Sequence, residues 1–172
     1  MVHDSTCHPL EKQILSALFV AFSVLGASIK IQGSIALDAF PAFLGAILLG
    51  PGFGFIIAVV GHLFSAFFSG FPLTVVLHLC TGVLMGLVVY GYGLLRHYTN
   101  RFWPMVYAVV SNGPVSLGII ALIAKGLGFP LQGMAMVSLL LLPLSMASFL
   151  NVVLAESIAV ALKKVYGRRR FR

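Results

Sequence analysis

A chain of 172 residues and 18.4 kDa is long enough for one domain of ordinary size. Only 9% of it is charged, against about 25% in a typical soluble protein. With 60% hydrophobic residues and a mean hydropathy of +1.07 it cannot cover a water-facing surface, which excludes a soluble fold, a disordered tail, a coiled coil and a disulfide-stapled secreted domain. The net charge of +7 is also no nucleic-acid footprint: six of the 11 Lys and Arg residues fall at 163–172, directly after an apolar segment, which is the pattern of a cytoplasmic membrane flank.

A hydrocarbon core about 30 Å thick takes roughly 20 residues of helix. Residues 1–12 form a polar lead-in containing Asp4 and Glu11, with no small-residue cleavage site after it, so it is not read as a removable signal peptide. The first apolar segment runs from about Ile14 to Ile31, and a short second one from about Ala36 to Leu49. The third covers about Phe53 to Phe68, the fourth Leu73 to Leu95, the fifth Trp103 to Leu127 and the sixth Met134 to Leu162. Breaks between them have local causes: Gly50-Pro51-Gly52, Ser69-Gly70-Phe71-Pro72, the stretch Arg96 to Arg101, and Gly126 to Gly133 around Pro130. The second and third segments barely reach the length of a span and could instead form a tight hairpin buried in protein. Cys7 and Cys80 lie in unlike surroundings, one polar and one apolar, so neither a structural disulfide nor a cysteine metal pair is expected.

Six spans place both termini on one side. That side collects Lys12, Arg96, Arg101, Lys163, Lys164, Arg168, Arg169, Arg170 and Arg172, whereas the other has Lys30 and Lys125. Nine against two is a clear positive-inside asymmetry and puts both termini in the cytoplasm. The expected fold is an all-α integral membrane protein of six transmembrane helices with a short second helix. It forms a single membrane domain over residues 1–172, with a basic cytoplasmic tail at 163–172.

Polar residues inside apolar segments must face protein or water, because each is costly against lipid. They are His62, His78, Ser111, Asn112, Ser116, Asn151 and Glu156, with Gln32 and Asp38 at the outer edge. There is no H-E-x-x-H zinc pair, no G-x-S-G nucleophile and no phosphate-binding loop, so the chain cannot itself drive transport with ATP. A small intramembrane enzyme using His62, His78 and Asn112 stays open as a reading from another class.

The run from Ile35 to Gly54, IALDAFPAFLGAILLGPGFG, then Gly61-His62-Leu63-Phe64-Ser65-Ala66 and Ser69-Gly70-Phe71-Pro72-Leu73, resembles the substrate-binding S components of energy-coupling-factor (ECF) vitamin transporters. Within that family the Asp-x-Phe-Pro and Gly-His-Leu-x-Ser-Ala stretches are most similar to S components assigned to α-ribazole, a cobalamin building block. Pantothenate and riboflavin are the alternative vitamins. The resemblance implies a subunit of the bacterial cytoplasmic membrane that captures its ligand from outside, with no catalysis and no cofactor of its own. A separate module of one transmembrane coupling protein and two ATPases would supply the energy, and the S component would topple in the bilayer to deliver its cargo. The family's Ala-x-x-x-Ala docking motif is matched by Ala17 and Ala21, whose spacing stacks two small side chains on one helix face.

By the same resemblance, the site is formed by the outer loop from Gln32 to Phe40 and the outer parts of helices four to six. It contains Asp38, Phe40, Phe71, Thr74, His78, Asn112 and Ser116, with Gln132, Met134, Met136, Ser138 and Ser145 at the start of helix six. Phe43, Phe67 and Phe68 are further aromatic faces, although a phenylalanine in such a chain more often meets lipid. Each polar residue also has a structural alternative. Asn112 could tie helices together, His62 is expected to be neutral and bonded to a neighbouring helix, and Asp38 is expected to cap the second helix rather than hold a ligand hydroxyl. Nickel and cobalt S components use an N-terminal histidine, as His3 could be, but that needs the N-terminus outside, so no metal is expected.

Overall fold

The computed structural model describes residues 9–28, 30–32 and 35–166. The lead-in with His3, Asp4, Cys7 and His8, the loop residue Ser34 and the arginines at 168–172 lie outside the described residues. The helices are α1 (Pro9–Ala27), α2 (Phe40–Leu48), α3 (Pro51–Phe68), α4 (Val75–Tyr98), α5 (Phe102–Val110), α6 (Ser116–Gly126) and α7 (Gly133–Tyr166). A π-helical turn, Ser111–Val115, joins α5 to α6, so the two form one rod. Strands β1 (Lys30–Gln32) and β2 (Ile35–Ala36) pair antiparallel, with Lys30 opposite Ala36 and Gln32 opposite Ile35. This small ribbon in the outer loop is an addition to the expected all-α architecture.

Among the described residues, five helical stretches are long and apolar enough to cross a membrane: α1, α3, α4, the α5–α6 rod and α7. The second helix is not among them. Its nine residues rise only about 14 Å, and Pro41 through Ala46 are buried on every side. The order of passes nevertheless survives. Gly26 of α1 abuts the Leu37 carbonyl, Ser23 abuts Gly61 of α3, and Phe19 abuts Gly45 of α2. Hence α1 and α3 run outward, while the stretch through α2 runs inward between them.

Small residues make this nesting possible, since a side chain at any of these positions would collide with the neighbouring helix. A Cβ at Gly54 would fall 2.6 Å from that of Ala46, and one at Gly86 would fall 2.8 Å from Val59. The reversal at Gly50, with φ at 109°, needs the conformational freedom of glycine. Around α2 lies the inner core, with Phe43 set edge-on to Tyr92 at 5.1 Å between ring centroids, together with Ile57, Val89 and Val152. A second, outer core joins Leu77 of α4, Leu117 and Ile120 of α6 and Met136 of α7. Large apolar side chains such as Phe68, Leu122 and Leu142 point outward, as a lipid-facing surface requires.

Polar side chains inside the bundle are tied in pairs. The Arg96 guanidinium donates Nε to Glu156 Oε1 at 2.7 Å and Nη2 to Oε2 at 3.0 Å, and the Tyr92 hydroxyl donates to Oε1 at 2.6 Å. This locks the inner ends of α4 and α7 together. Asn151, also on α7, accepts the Phe40 N–H at 2.7 Å through Oδ1. The expectation that Asp38 caps α2 is therefore corrected: Ala39 occupies the N-cap with no side-chain bond, and the cap comes across the bundle from Asn151.

Candidate functional site

A cavity of about 100 Å³ opens between α3, α4, the α5–α6 rod and α7. It is lined by His62, His78, Thr81, Asn112 and Ser116 on its polar side, and by Leu73, Leu117, Ile120, Met136, Leu140 and Leu144 on its apolar side. The charge asymmetry that orients the chain places it in the outer half, because α4 begins there. Ligand pockets for drug-sized molecules usually measure about 300–1,000 Å³. The observed volume lies below that range.

Two local features aim the polar groups. Between α3 and α4 the chain reverses through Gly70 at φ 74° and Phe71 at φ 49°, a conformation costly for a bulky residue and held by the Phe71 N–H bond to the Ala66 carbonyl at 2.8 Å. The reversal sets the His62 and His78 rings 5.4 Å apart and the Phe71 ring 5.8 Å from His78. On the far wall, Pro114 supplies no N–H to the helical ladder, and the helix widens locally to the π form. Ser116 bonds the Ser111 carbonyl through its hydroxyl at 2.7 Å, and both Asn112 and Ser116 face the cavity.

A chain of polar contacts runs into the cavity from the outer loop. Asp38 Oδ2 lies 3.3 Å from His62 Nδ1, and His62 Nε2 lies 3.3 Å from His78 Nδ1. The far nitrogen, His78 Nε2, is buried without a partner among the described residues. Such an orphan in a native fold calls for an explanation.

Of the seven expected site residues, His78, Asn112 and Ser116 line the cavity, and Phe71 packs on His78. Asn112 also ties helices, donating Nδ2 to Ser148 Oγ at 3.1 Å, so both readings of it hold geometrically. Asp38 reaches the cavity only through His62. Thr74 is instead the N-cap of α4, accepting the Leu77 N–H at 3.2 Å, and Phe40 packs against the inner core. Of the residues expected at the start of α7, Met136 lines the cavity, whereas Met134 and Ser138 are exposed. His62, expected to bond a neighbouring helix, does so and lines the cavity as well. Leu73, Thr81, Leu117, Ile120, Leu140 and Leu144 line the cavity without having been expected there; Thr81, Ile120 and Leu140 each continue a helical face one turn beyond His78, Ser116 or Met136, which is the signal that finds them. Ala17 and Ala21 are exposed on the outside of α1.

Apolar helices long enough to cross a membrane, packed around an outer-half cavity, define a polytopic membrane protein. Over residues 12–162 the chain matches the family model described as ECF transporter, substrate-specific component, and it belongs to that family. It is therefore the substrate-binding membrane subunit of an ECF transporter, not an enzyme, and a multi-pass protein of the cytoplasmic membrane. S components of this family work with an ECF module of coupling protein and ATPases. No curated protein and no solved structure matches the chain.

Proposed function

We propose that this S component captures an uncharged heteroaromatic vitamin or cobalamin precursor from outside, with α-ribazole the best fit. One observation carries the reading: among the described residues, no Lys, Arg, Asp or Glu lines the cavity. The carboxylate of pantothenate or biotin would be buried there without a cationic partner, at a cost of several kcal/mol in order of magnitude. α-Ribazole is neutral, and it joins an apolar dimethylbenzimidazole to a hydroxyl-bearing ribose. Its ring suits the wall of Leu117, Ile120, Met136 and Leu140, and its sugar suits His78, Asn112 and Ser116. Riboflavin is also neutral but larger, so it demands a wider parting of the walls. Asp38 and Phe71 serve this site through the histidines, while Phe40 and Thr74 hold the elements around it.

Delivery inward uses a transmembrane coupling protein and two ATPases, with the coupling protein seated on the small exposed face at Ala17 and Ala21. Exposure of both alanines supports this, because a second helix can approach closely only where side chains are small. The test is calorimetry on the purified subunit in nanodiscs with α-ribazole, dimethylbenzimidazole, riboflavin, pantothenate, thiamine, biotin and pyridoxine. Saturable binding of a neutral heteroaromatic compound is expected. Preferential binding of pantothenate or biotin would overturn the reading.

A further inference from the structure

The hydroxyl and amide protons around the cavity are largely committed within the protein. Thr81 donates its hydroxyl to the Leu77 carbonyl at 2.8 Å, and Ser116 donates to the Ser111 carbonyl at 2.7 Å. Asn112 spends one of its two amide protons on Ser148. What Thr81 and Ser116 turn to a ligand is therefore oxygen lone pairs. His78 completes the pattern by a longer route. A carboxylate can only accept, so Asp38 fixes the proton of His62 on Nδ1. A singly protonated His62 then has a bare Nε2, which accepts from His78 Nδ1–H. That leaves His78 Nε2 without a proton. It is the same atom that is orphaned and buried, on a side chain belonging to a residue only 8% exposed.

We propose that Asp38, His62 and His78 form a proton-ordered chain that makes the cavity an acceptor surface, selecting ligands that present hydroxyl or N–H donors to His78. This rests on the ligand-binding reading above and adds the polarity of the site to it. For a nucleoside such as α-ribazole the consequence is directional. A ribose hydroxyl meets His78, and the bare ring nitrogen, which is itself an acceptor, cannot. Asp38 and His62 act here as positioning residues, since neither needs to touch the ligand to set which atom of His78 carries the proton.

Two measurements on the intact protein in nanodiscs test this separately. In the first, ring ¹⁵N spectra are recorded at pH 8, above the ordinary imidazole range, on histidine-labelled protein without ligand, using His62→Gln and His78→Gln for assignment. The proposal requires a protonated Nδ1 and a bare Nε2 on His78, and a shift toward the other tautomer in Asp38→Ala. A protonated Nε2 in the unaltered protein, or a tautomer indifferent to Asp38, overturns it whatever the ligand proves to be.

In the second, α-ribazole is compared by calorimetry with analogues whose ribose hydroxyls are O-methylated one at a time, which removes a donor and keeps an acceptor. At least one position is expected to lose about tenfold in affinity, and that loss should shrink to within about twofold in His78→Ala. Equal binding of every analogue refutes donor selection. If α-ribazole itself fails to bind while Nε2 is bare, the choice of ligand is wrong and the proton order stands.

Discussion

Replacing Asn151 by alanine tests how α2 is held. The N-terminus of this helix has few donors to satisfy. Pro41 has no N–H, and the N–H groups of Ala42 and Phe43 both reach the Ala39 carbonyl, at 3.1 and 3.2 Å. The Phe40 N–H is the one remaining, and Asn151 Oδ1 takes it at 2.7 Å. Ala39 and Asn151 are each 2% exposed and Phe40 is half-buried, so water has little access to replace the lost acceptor. A surface cap is worth about 1 kcal/mol, whereas a buried donor left unsatisfied costs about 1–3 kcal/mol. Asn151→Ala is expected in the upper half of that range, since Asn151 Nδ2 also donates to the Ala147 carbonyl. Thermal unfolding of the ligand-free protein measures the loss, and amide exchange locates it: faster exchange should begin at Phe40 and spread through α2. Asp38→Ala should leave α2 exchange unchanged. Destabilisation below about 0.5 kcal/mol in Asn151→Ala, or faster α2 exchange in Asp38→Ala, would refute the assignment of the cap.

Glu156→Ala strips the partner from both Arg96 and Tyr92 and should cost about 3–5 kcal/mol, while Arg96→Met combined with Glu156→Met should recover most of it in melting experiments. Ala17→Trp or Ala21→Trp should abolish uptake into cells or vesicles and leave binding to the isolated subunit nearly intact; equal loss of both would make the alanines structural. His78→Ala and Asn112→Ala should each weaken ligand binding by about 1–3 kcal/mol without loss of folded yield, read by calorimetry. Unchanged affinity in both would move the site elsewhere.

The long spans were legible because apolar runs bounded by glycine, proline and charge have a single reading at that length, and the basic residues gave their direction. The second helix was less so. Buried on every side, Pro41 to Ala46 carries no polar face to set a period, and its length reflects packing against four neighbours, α1, α3, α4 and α7, rather than bilayer thickness. Its cap lies 111 residues away along the chain, so a local rule that pairs a helix start with the nearest Asp pointed to Asp38 instead. His78, Asn112 and Ser116 stood out in the sequence because a polar side chain in an apolar span must face protein or water, and all three line the cavity. The link from Asp38 through His62 to His78 joins three elements, and only the reversal at Gly70-Phe71 reveals it. Thr81 was hidden by its ordinary habit of bonding the carbonyl one turn back.

The cavity's role is tested most directly by a binding isotherm for α-ribazole on the purified subunit in nanodiscs without ATPases, paired with Leu140→Trp, which fills the cavity from α7. Saturable one-to-one binding that Leu140→Trp abolishes, with the variant still eluting as a folded monodisperse protein, is the predicted result. Undiminished binding in the filled variant would contradict the placement of the ligand between α3, α4, the α5–α6 rod and α7.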